Sequence, residues 1–280
     1  MRHDPKFHLA GVMGWPISHS RSPLIHHYWF AHYGLSGSYA PLAIEPQRLG
    51  AALRALPALG YAGCNLTIPH KEAALALVDA VDPTAARIGA INCVVVTPEG
   101  ALEGRNYDGF GFVESLRCGA PLWRAEAAPA VVIGAGGAAR AVIAGLLGAG
   151  VADIRLFNRS PERAAALAAD FGARVTAYDW EQRDIGLSGA GLLVNTTSLG
   201  MVGQPPLELA LDDLPQSAVV ADIVYAPLET ELLAAARAKG CIGVDGLGML
   251  LHQARPAFRD WFGVMPEATP ELRKRIEATL

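Results

Sequence analysis

The second half of the chain alternates short apolar runs with longer amphipathic stretches. Six runs of four or five residues predict buried strands, because they are rich in Val, Ile, Leu and Ala and are bounded by turn residues. They are Ala130–Ile133, Ile154–Phe157, Arg174–Ala177, Leu192–Asn195, Val219–Ile223 and Cys241–Val244. Helices with clear ends lie between several of them, such as those from Ser160 to Gly172 and from Thr230 to Lys239. This alternation predicts an α/β fold with a doubly wound, parallel Rossmann sheet.

The first 107 residues predict a second, N-terminal α/β domain. Its expected strands and helices are strands at 8–14, 38–44 and 89–96, a strand that begins at Ala62, and helices at 23–33 and 46–56. Thr97–Gly100 is typical of a hairpin turn. Two helices, Gly246–Trp261 and Pro270–Thr279, have no strand after them, so we expect these C-terminal helices to return to the first domain. The predicted domains are 1–107 with 246–280, interrupted by 108–245.

A glycine-rich turn follows the first of the six runs. Gly134 permits a tight turn, Gly136 lets the backbone approach a ligand closely, and Ala139 allows the next helix to pack near the strand. The helix from about Gly137 to Leu147 would direct unpaired N–H groups and the positive end of its dipole at a phosphate. The G-x-G-x-x-A pattern is a weak signal in a chain with 30 glycines, but its position between a strand and a helix favours a dinucleotide.

The end of the second run indicates which dinucleotide is bound. An acidic residue there would hydrogen-bond a ribose 2′-hydroxyl, whereas an arginine would accommodate a 2′-phosphate. The run ends in Asn158-Arg159-Ser160, with Arg163 one turn later, and no acid occupies the position. Cations are poorly placed at a helix N-terminus unless an anion joins them, so the sequence predicts NADP. The alternative is that both arginines are solvated.

Composition narrows the classes of function. A formal net charge of −4 and a pI near 6.1 disfavour binding to nucleic acid or to a membrane surface. Because the chain has neither an apolar run long enough to span a bilayer nor a secretory leader, we expect a cytoplasmic protein. Cys64, Cys93, Cys118 and Cys241 are far apart, which indicates reduced thiols, and the histidines between 19 and 32 lack further ligands at metal-binding spacing.

Two charged residues that follow predicted strands are candidates for chemistry. Lys71, one of four lysines, stands where a strand runs into a turn and a helix start, which is unfavourable for a cation. A solvated lysine is the alternative. Asp108 precedes a helix that starts at Gly109, and capping alone would explain an Asp there. Ser22 with Pro23 would likewise form an N-cap and first helical position, or offer a hydroxyl to a polar ligand.

Eight motifs, taken together and in chain order, resemble the signatures of the shikimate dehydrogenase family. They are Gly14-Trp-Pro-Ile-Ser-His-Ser-Arg-Ser-Pro, Asn65-Leu-Thr-Ile-Pro-His-Lys, Gly89-Ala-Ile-Asn, Asn106-Tyr-Asp-Gly, the glycine loop, Asn158-Arg-Ser, Asn195-Thr-Thr-Ser-Leu-Gly-Met and Asp245-Gly-Leu-Gly-Met-Leu-Leu-His-Gln. One match would be weak, but the set covers nearly the whole chain. The resemblance implies NADP-dependent, reversible reduction of 3-dehydroshikimate to shikimate on the route to aromatic amino acids. It also implies that 1–107 with 246–280 binds substrate and that 108–245 binds NADP.

The resemblance assigns roles to individual residues. Lys71 and Asp108 would form the catalytic pair, without a metal. The residues expected to contact the substrate, a small cyclic hydroxy acid, are Ser20, Ser22, Thr67, Asn92, Tyr107, Tyr225 and Gln253. Those expected to bind NADP are Gly134, Ala135, Gly136, Gly137, Ala138, Arg140, Asn158, Arg159, Ser160, Arg163, Thr196, Thr197, Ser198 and Gly246. Hydride transfer to a ketone leaves an alkoxide unless a proton arrives in the same step, which is the role expected of Lys71, with Asp108 fixing the geometry.

Two residues depart from the common pattern of the family. Tyr107 stands where Thr is common, and Trp15 stands where Asn is common, beside the expected substrate site. Because the catalytic pair is kept, the departures bear on substrate choice, and quinate or an aminoshikimate is an alternative substrate. A non-catalytic dinucleotide sensor is an alternative from another class, against which retention of Lys71 and Asp108 speaks. Either a monomer or a homodimer is expected.

Overall fold

The computed structural model describes residues 7–280, which divide into two compact units. The first unit comprises the chain up to Tyr107 together with Gln253–Thr279, and the second comprises Asp108–His252 and the terminal Leu280. The boundary between His252 and Gln253 falls inside a helix. Over the described residues, no helix combines the length and the hydropathy required to cross a membrane.

The first unit is built on a six-stranded mixed sheet. Its strands are β1 (His8–Gly14), β2 (Gly37–Ala43), β3 (Gly63–Leu66), β4 (Ala80–Val81), β5 (Cys93–Val96) and β6 (Leu102–Arg105). They lie in the order β2-β1-β3-β5-β6-β4, with β1 parallel to β2 and β3, and with β5 antiparallel to both β3 and β6. The hairpin predicted at Thr97–Gly100 is confirmed, since the Thr97 N–H donates to Ala101 O at 2.9 Å.

Among the described residues, this part of the chain has three α-helices, of which the first two were predicted to within three residues at either end. They are α1 (Ser22–His32), α2 (Leu49–Ala55) and α3 (Pro83–Ile88). The prediction of Ser22 as an N-cap is wrong, because Arg21 occupies that position and Ser22 is already helical. Helix α3 was not predicted; Asp82 caps it by accepting from Thr84 N and Ala85 N at 2.7 and 2.9 Å.

The segment after β3 also differs from the prediction. Lys71 does not begin an α-helix; it lies in a turn that leads only to a single 3₁₀ turn, Ala73–Ala76. Pro69 supplies no N–H for a helical ladder, and the His70 N–H instead closes a tight turn on Thr67 O at 2.8 Å. The dipole argument made for Lys71 therefore does not apply, although the residue still follows a strand end.

The second unit is a Rossmann fold, as predicted. Its strands are β7 (Ala130–Ile133), β8 (Ile154–Phe157), β9 (Val175–Tyr178), β10 (Leu192–Asn195), β11 (Val219–Asp222) and β12 (Ile242–Val244). Its helices are α4 (Asp108–Gly119), α5 (Gly137–Ala149), α6 (Pro161–Phe171) and α7 (Glu231–Lys239), together with the part of α8 (Gly246–Phe262) up to His252. All neighbouring strands are parallel, in the order β12-β11-β10-β7-β8-β9. The strand order reverses between β7 and β10, where ligands bind in open α/β sheets.

Both faces of this sheet are covered, which explains why its central strands β7, β10 and β11 are fully buried and apolar up to their last residue. Val132 packs into one core with helix residues such as Val142, whereas Val131 packs into a second core with Leu233 on the other face. All four of these side chains are fully buried. Burying a side chain of this size contributes about 1.5 to 3 kcal/mol, so the sheet is a rigid base for the turns at its carboxyl edge.

The C-terminal helices return to the first unit, as predicted. From Gln253 onward α8 belongs to that unit, as does α9 (Pro270–Glu277). The Trp261 indole N–H donates to Val94 O on β5 at 3.0 Å, and the Trp29 indole N–H of α1 donates to Glu267 O at 2.9 Å. These bonds join segments that are far apart in sequence into one core.

Candidate functional site

The glycine turn after β7 has the shape expected of a phosphate-binding loop. Gly134 has a φ of 107°, which a residue with a side chain rarely adopts, and Gly136 stands at the N-cap of α5 without a side-chain hydrogen bond. A Cβ added at Gly136 or at Gly137 would meet no atom within 4 Å. The first turn of α5 is therefore open on the side where an anion would be held by its backbone N–H groups.

Arg140, another predicted cofactor residue, lies along α5 against the next helix. Its Nη1 forms an ion pair with Asp170 Oδ2 on α6 at 2.7 Å, and its guanidinium carbon lies 5.7 Å from the centre of the Phe171 ring. The two neighbouring predicted residues, Ala135 and Ala138, are half-buried. The guanidinium is thus oriented by α6 as well as by its own helix.

The segment after β8 presents two arginines to solvent. Arg159 and Arg163 are both exposed, and neither has a hydrogen-bond or ion-pair partner anywhere in residues 7–280. Asn158 Nδ2 donates to Ser160 O at 2.9 Å, which shapes the turn between them. Ser160 is the N-cap of α6, but its hydroxyl donates to Glu162 Oε2 at 3.0 Å and accepts no hydrogen bond from the N–H groups of the helix. Two unpaired cations at a helix N-terminus are suited to an anionic ligand.

The turn after β10 brings a series of hydroxyls beside the glycine loop. Thr196 Oγ1 donates to Ile133 O at 2.7 Å, and Thr197 Oγ1 donates to Asn195 Oδ1 at 2.7 Å. Ser198 follows in the same turn. A Cβ added at Gly134 would lie 2.8 Å from Thr196 Oγ1 and from Thr197 Cγ2. The two turns are therefore in close contact, and a side chain at Gly134 would separate them.

Two further predicted residues follow β11 and β12. Tyr225 is half-buried in the loop after β11. Gly246 begins α8, and a Cβ there would lie 2.1 Å from Ile223 O and 2.7 Å from Val224 O. A residue with a side chain at Gly246 would push the start of α8 away from this loop.

Asp108 was predicted as the N-cap of a helix from Gly109, but the helix α4 already includes Asp108 as its first residue. A close crossing with α5 fixes that end of α4. A Cβ on Gly109 would lie 2.6 Å from Ala141 O, and a Cβ on Gly145 would lie 2.6 Å from Gly109 O. Such contacts leave no room for a methyl group on either glycine. The helix that carries Asp108 is thereby held against the helix that begins at the glycine loop.

In the first unit, the predicted substrate residues lie at the ends of strands and at the start of α1. The Ser22 N–H donates to Ser20 Oγ at 3.3 Å, so Ser20, in the turn before α1, contacts the first residue of that helix. The Thr67 N–H donates to Met13 O of β1 at 3.0 Å. Lys71 is half-buried in the turn after β3, and its carbonyl accepts from Ile91 N at 2.8 Å.

Asn92 joins two of the other predicted substrate residues. Its Oδ1 accepts from the Tyr107 backbone N–H at 2.9 Å, and its Nδ2 donates to Gln253 Oε1 on α8 at 3.3 Å. A buried donor, Asn65 Nδ2, bonds the Asn92 carbonyl at 2.9 Å. Asn92 itself is buried. Its amide thus sets the position of the Gln253 side chain and of the backbone just before Asp108.

The side chain of Tyr107 has a partner that the sequence did not indicate. Its hydroxyl donates to the carboxylate of Asp260 on α8, which also pairs with Arg105 of β6. Burial, followed by the charge of Cys93 and the hydrogen bond to Asp260, raises the pKa of Tyr107. The hydroxyl therefore remains protonated at neutral pH. Trp15, the other departure from the family pattern, is 46% exposed.

Three features of the site were missed from the sequence. Asp222 ends β11 and is buried, and a carboxylate that terminates an apolar strand could have identified it. Asp260 lies seven residues after Gln253, so the two share one face of α8 by helical periodicity. The Gly109–Gly145 crossing has no signal in a single sequence, because glycines are common throughout the chain.

A doubly wound parallel sheet with a glycine turn after its first strand and a hydroxyl-rich turn after the adjacent strand defines the class of Rossmann dinucleotide-binding units. The family model described as shikimate dehydrogenase substrate binding domain matches residues 12–94, and the one described as shikimate / quinate 5-dehydrogenase matches residues 121–202. A relative from Paramagnetospirillum magneticum named shikimate dehydrogenase (NADP(+)) is 59% identical over 268 residues, which span 96% of this chain and 97% of that protein. The chain belongs to the shikimate dehydrogenase family.

Solved structures agree with this assignment. Shikimate 5-dehydrogenase from Thermus thermophilus, in complex with NADP(H) and shikimate, is 39% identical with a TM-score of 0.85, over 97% of this chain and 99% of that one. Quinate dehydrogenase from Corynebacterium glutamicum, in complex with NAD, is 32% identical with a TM-score of 0.90, over 98% of this chain and 100% of that one. The fold is therefore shared by relatives that differ in both substrate and cofactor.

Proposed function

We propose that this protein is an NADP-dependent shikimate dehydrogenase, which catalyses the reversible reduction of 3-dehydroshikimate to shikimate in aromatic amino acid biosynthesis. The observation that carries the proposal is the 59% identity, over nearly the full length of both chains, to a relative of that name. The eight motifs lie in the same order along this chain. The small-molecule partner would accordingly be a cyclic hydroxy acid.

The described residues fit NADP. The open first turn of α5 suits a pyrophosphate, which would be held by backbone N–H groups between Gly134 and Ala138. Arg159 and Arg163 suit a 2′-phosphate, since both guanidinium groups are exposed and lack partners among residues 7–280. The remaining residues that we propose around the cofactor are Ala135, Gly136, Gly137, Arg140, Asn158, Ser160, Thr196, Thr197, Ser198 and Gly246.

In the proposed mechanism NADPH, when bound, supplies a hydride to the carbonyl carbon. Lys71 donates a proton from its ammonium group to the carbonyl oxygen, and in the reverse direction its amine accepts a proton from the alcohol. Asp108 hydrogen-bonds the lysine and a substrate hydroxyl, which restricts both to the reactive orientation. The residues that we propose to hold the carboxylate and hydroxyls of the substrate are Ser20, Ser22, Thr67, Asn92 and Gln253. We propose that Tyr225 lines the substrate site and that Tyr107 lies beside it.

The domain functions, location and assembly follow as parts of the same proposal. Residues 1–107 and 246–280 would bind substrate, and 108–245 would bind NADP. A cytoplasmic location fits the free thiols of Cys64, Cys93, Cys118 and Cys241, because disulfides are rare in reducing compartments. Either a monomer or a homodimer is compatible with the proposal.

Quinate dehydrogenase is the second candidate activity. The TM-score of 0.90 to a quinate dehydrogenase, together with Tyr107 and Trp15 in place of the common Thr and Asn, supports testing it. Quinate carries the carboxylate and the three ring hydroxyls of shikimate, but it has a further hydroxyl on the carboxylate-bearing carbon in place of the ring double bond. A change in the walls of the substrate site could therefore exchange one acid for the other without altering the proton donor.

The test is a steady-state absorbance assay at 340 nm with each acid and each cofactor, compared by kcat/KM. We expect shikimate with NADP to be the preferred pair. A higher kcat/KM with quinate would show that quinate is the preferred substrate, and a higher kcat/KM with NAD would show that NAD is the preferred cofactor. NADPH binding without turnover of any of these acids would favour the non-catalytic sensor.

The proposed proton donor is tested with Lys71→Ala. We expect kcat to fall about 10² to 10⁴-fold, the usual contribution of a positioned general acid, with KM changed by about threefold or less. Lys239→Ala is the matched control, because Lys239 lies in the last turn of α7 and its amino group donates to Asp212 O at 2.9 Å. Undiminished turnover in Lys71→Ala would exclude Lys71 as the donor.

A further inference from the structure

Asp222 is a buried carboxylate at the carboxyl edge of the Rossmann sheet. It ends β11 and is directly opposite Asn195, the last residue of β10, in the parallel register. Asp222 is 2% exposed and Asn195 is fully buried. Within residues 7–280, no Lys, Arg or His forms an ion pair with this carboxylate. Burying an unpaired carboxylate is unfavourable, so the hydrogen bonds that it makes must offset the lost hydration.

Three donors converge on this carboxylate. Oδ1 accepts from Asn195 Nδ2 and from the Val224 N–H, both at 3.0 Å, and Oδ2 accepts from Thr230 Oγ1 at 2.8 Å. Thr230 in turn caps α7 by accepting from Leu233 N at 3.3 Å. Burial raises the pKa of Asp222, and the three hydrogen bonds oppose that shift. The carboxylate therefore links β10, the loop after β11 and the start of α7.

The carboxylate also fixes which way the Asn195 amide faces. An ionised carboxyl group only accepts hydrogen bonds, so Asn195 must turn its Nδ2 towards Asp222 and its Oδ1 away. That Oδ1 accepts from both the backbone N–H and the hydroxyl of Thr197, at 3.0 and 2.7 Å. The same Nδ2 reaches Leu199 O at 3.1 Å. Asn195 thus holds the turn after β10, which contains Thr196–Ser198, in a single conformation.

This turn is the one that contacts the glycine loop. The Thr196 hydroxyl bonds Ile133 O, and the space of a methyl group on Gly134 is already taken by Thr196 and Thr197. If the turn lost its internal hydrogen bonds, Thr196 and Thr197 would no longer be held in contact with Gly134.

We propose that Asp222 is a positioning residue for nucleotide binding, which acts through Asn195 to hold the Thr196–Ser198 turn against the glycine loop. The inference rests on the proposed function, because the ligand held at this edge is taken to be NADP. Asp222 contacts no ligand itself in this scheme. Its replacement should weaken NADPH binding while changing shikimate binding little, because six of the seven residues that we propose at the substrate site lie in the first unit.

The experiment measures Kd for NADPH and for shikimate by calorimetry in wild type, Asp222→Ala and Asn195→Ala. We expect at least about tenfold weaker NADPH binding in both variants, with shikimate Kd within about twofold. In the double variant the loss should be no larger than in Asn195→Ala alone, because residues that act as one unit are not additive. Asp222→Asn keeps an acceptor oxygen for Asn195, so its NADPH Kd should return to within about threefold of wild type.

Val151→Ala is the control for general destabilisation. Val151 is buried and lies before β8, at the amino end of the sheet, away from the Asp222 bonds. If Asp222→Ala binds NADPH within about twofold of wild type, or no more weakly than Val151→Ala, the inference is overturned. If Asp222→Ala does not fold, Asn195→Ala decides by the same criterion. Absence of NADPH binding in the wild type would refute the proposed function, whereas normal wild-type binding with an unaffected variant refutes only the role of Asp222.

Discussion

Tyr107→Phe separates two roles for a residue that the resemblance to the family predicts at the substrate site. The substitution keeps the ring and removes only the hydroxyl, which donates to Asp260 and lies 3.3 Å from Arg105 Nη1. If the hydroxyl holds α8 on β6, its loss should lower the free energy of unfolding. If it binds substrate, its loss should lower kcat/KM instead.

The contacts of Asp260 set the expected magnitude. A hydrogen bond to a charged group contributes about 1.5 to 3 kcal/mol. The Asp260 side chain is only 7% exposed, but it keeps its pair with Arg105 and two bonds from Arg259, at 3.0 and 2.8 Å, when the tyrosine hydroxyl is gone. Because the carboxylate is not left unpaired, we expect the lower part of that range, about 1.5 to 2 kcal/mol.

The assay combines urea unfolding with steady-state kinetics at neutral pH, where Tyr107 is protonated. We expect the loss of stability above, with kcat/KM for shikimate within about threefold of wild type. Tyr178→Phe is the matched control: Tyr178 is 39% exposed, and its hydroxyl has no hydrogen-bond partner among the described residues. Unchanged stability with a tenfold or larger drop in kcat/KM would show that the Tyr107 hydroxyl serves the substrate and that the reasoning from Asp260 is wrong.

Two further predictions concern the cofactor and acid stability. Arg159→Ala and Arg163→Ala should each raise KM for NADP about tenfold or more, the value of one charge-assisted bond, and leave KM for NAD unchanged; equal effects on both cofactors would refute the 2′-phosphate role. Burial, with a smaller effect of His27, lowers the pKa of His26 to about 3, and neither ring nitrogen has a hydrogen-bond partner in the described chain. Because the unfolded chain binds this proton below about pH 6.5 and the native protein does not, wild type should lose about 2 kcal/mol of stability from this group between pH 6.5 and 5. His26→Phe should remove that part of the pH dependence in urea unfolding, and an unchanged slope would contradict it.

The Rossmann half could be predicted because its signals are local. Each apolar run from Ala130 to Val244 matches a strand to within one residue at either end, since a strand buried on both faces must be apolar throughout. The glycine turn could also be predicted, because a φ of 107°, as at Gly134, favours a residue without a side chain. Periodicity and turn chemistry here point to the same structure.

The first half was less predictable because its elements are short and depend on tertiary contacts. A two-residue strand such as Ala80–Val81 has no periodicity to detect, and it exists only because it pairs with β6. The helix expected after Ile68 does not form, because the chain there turns tightly after Pro69. Local sequence shows that such segments leave a strand, but not what the chain does next.

The candidate site shows the same limit in its side chains. Sequence similarity places Tyr107 beside a predicted catalytic aspartate, yet the direction of its side chain is decided by Asp260, 153 residues away. The Tyr107 side chain, which is larger than the common Thr, therefore packs between β6 and α8. Its size alone does not indicate how much space is left for the substrate. A large residue at a motif position changes specificity only if its side chain points to the ligand. Here its backbone N–H bonds Asn92, which contacts Gln253, so the motif position can remain functional through its main chain while its side chain stabilises the fold.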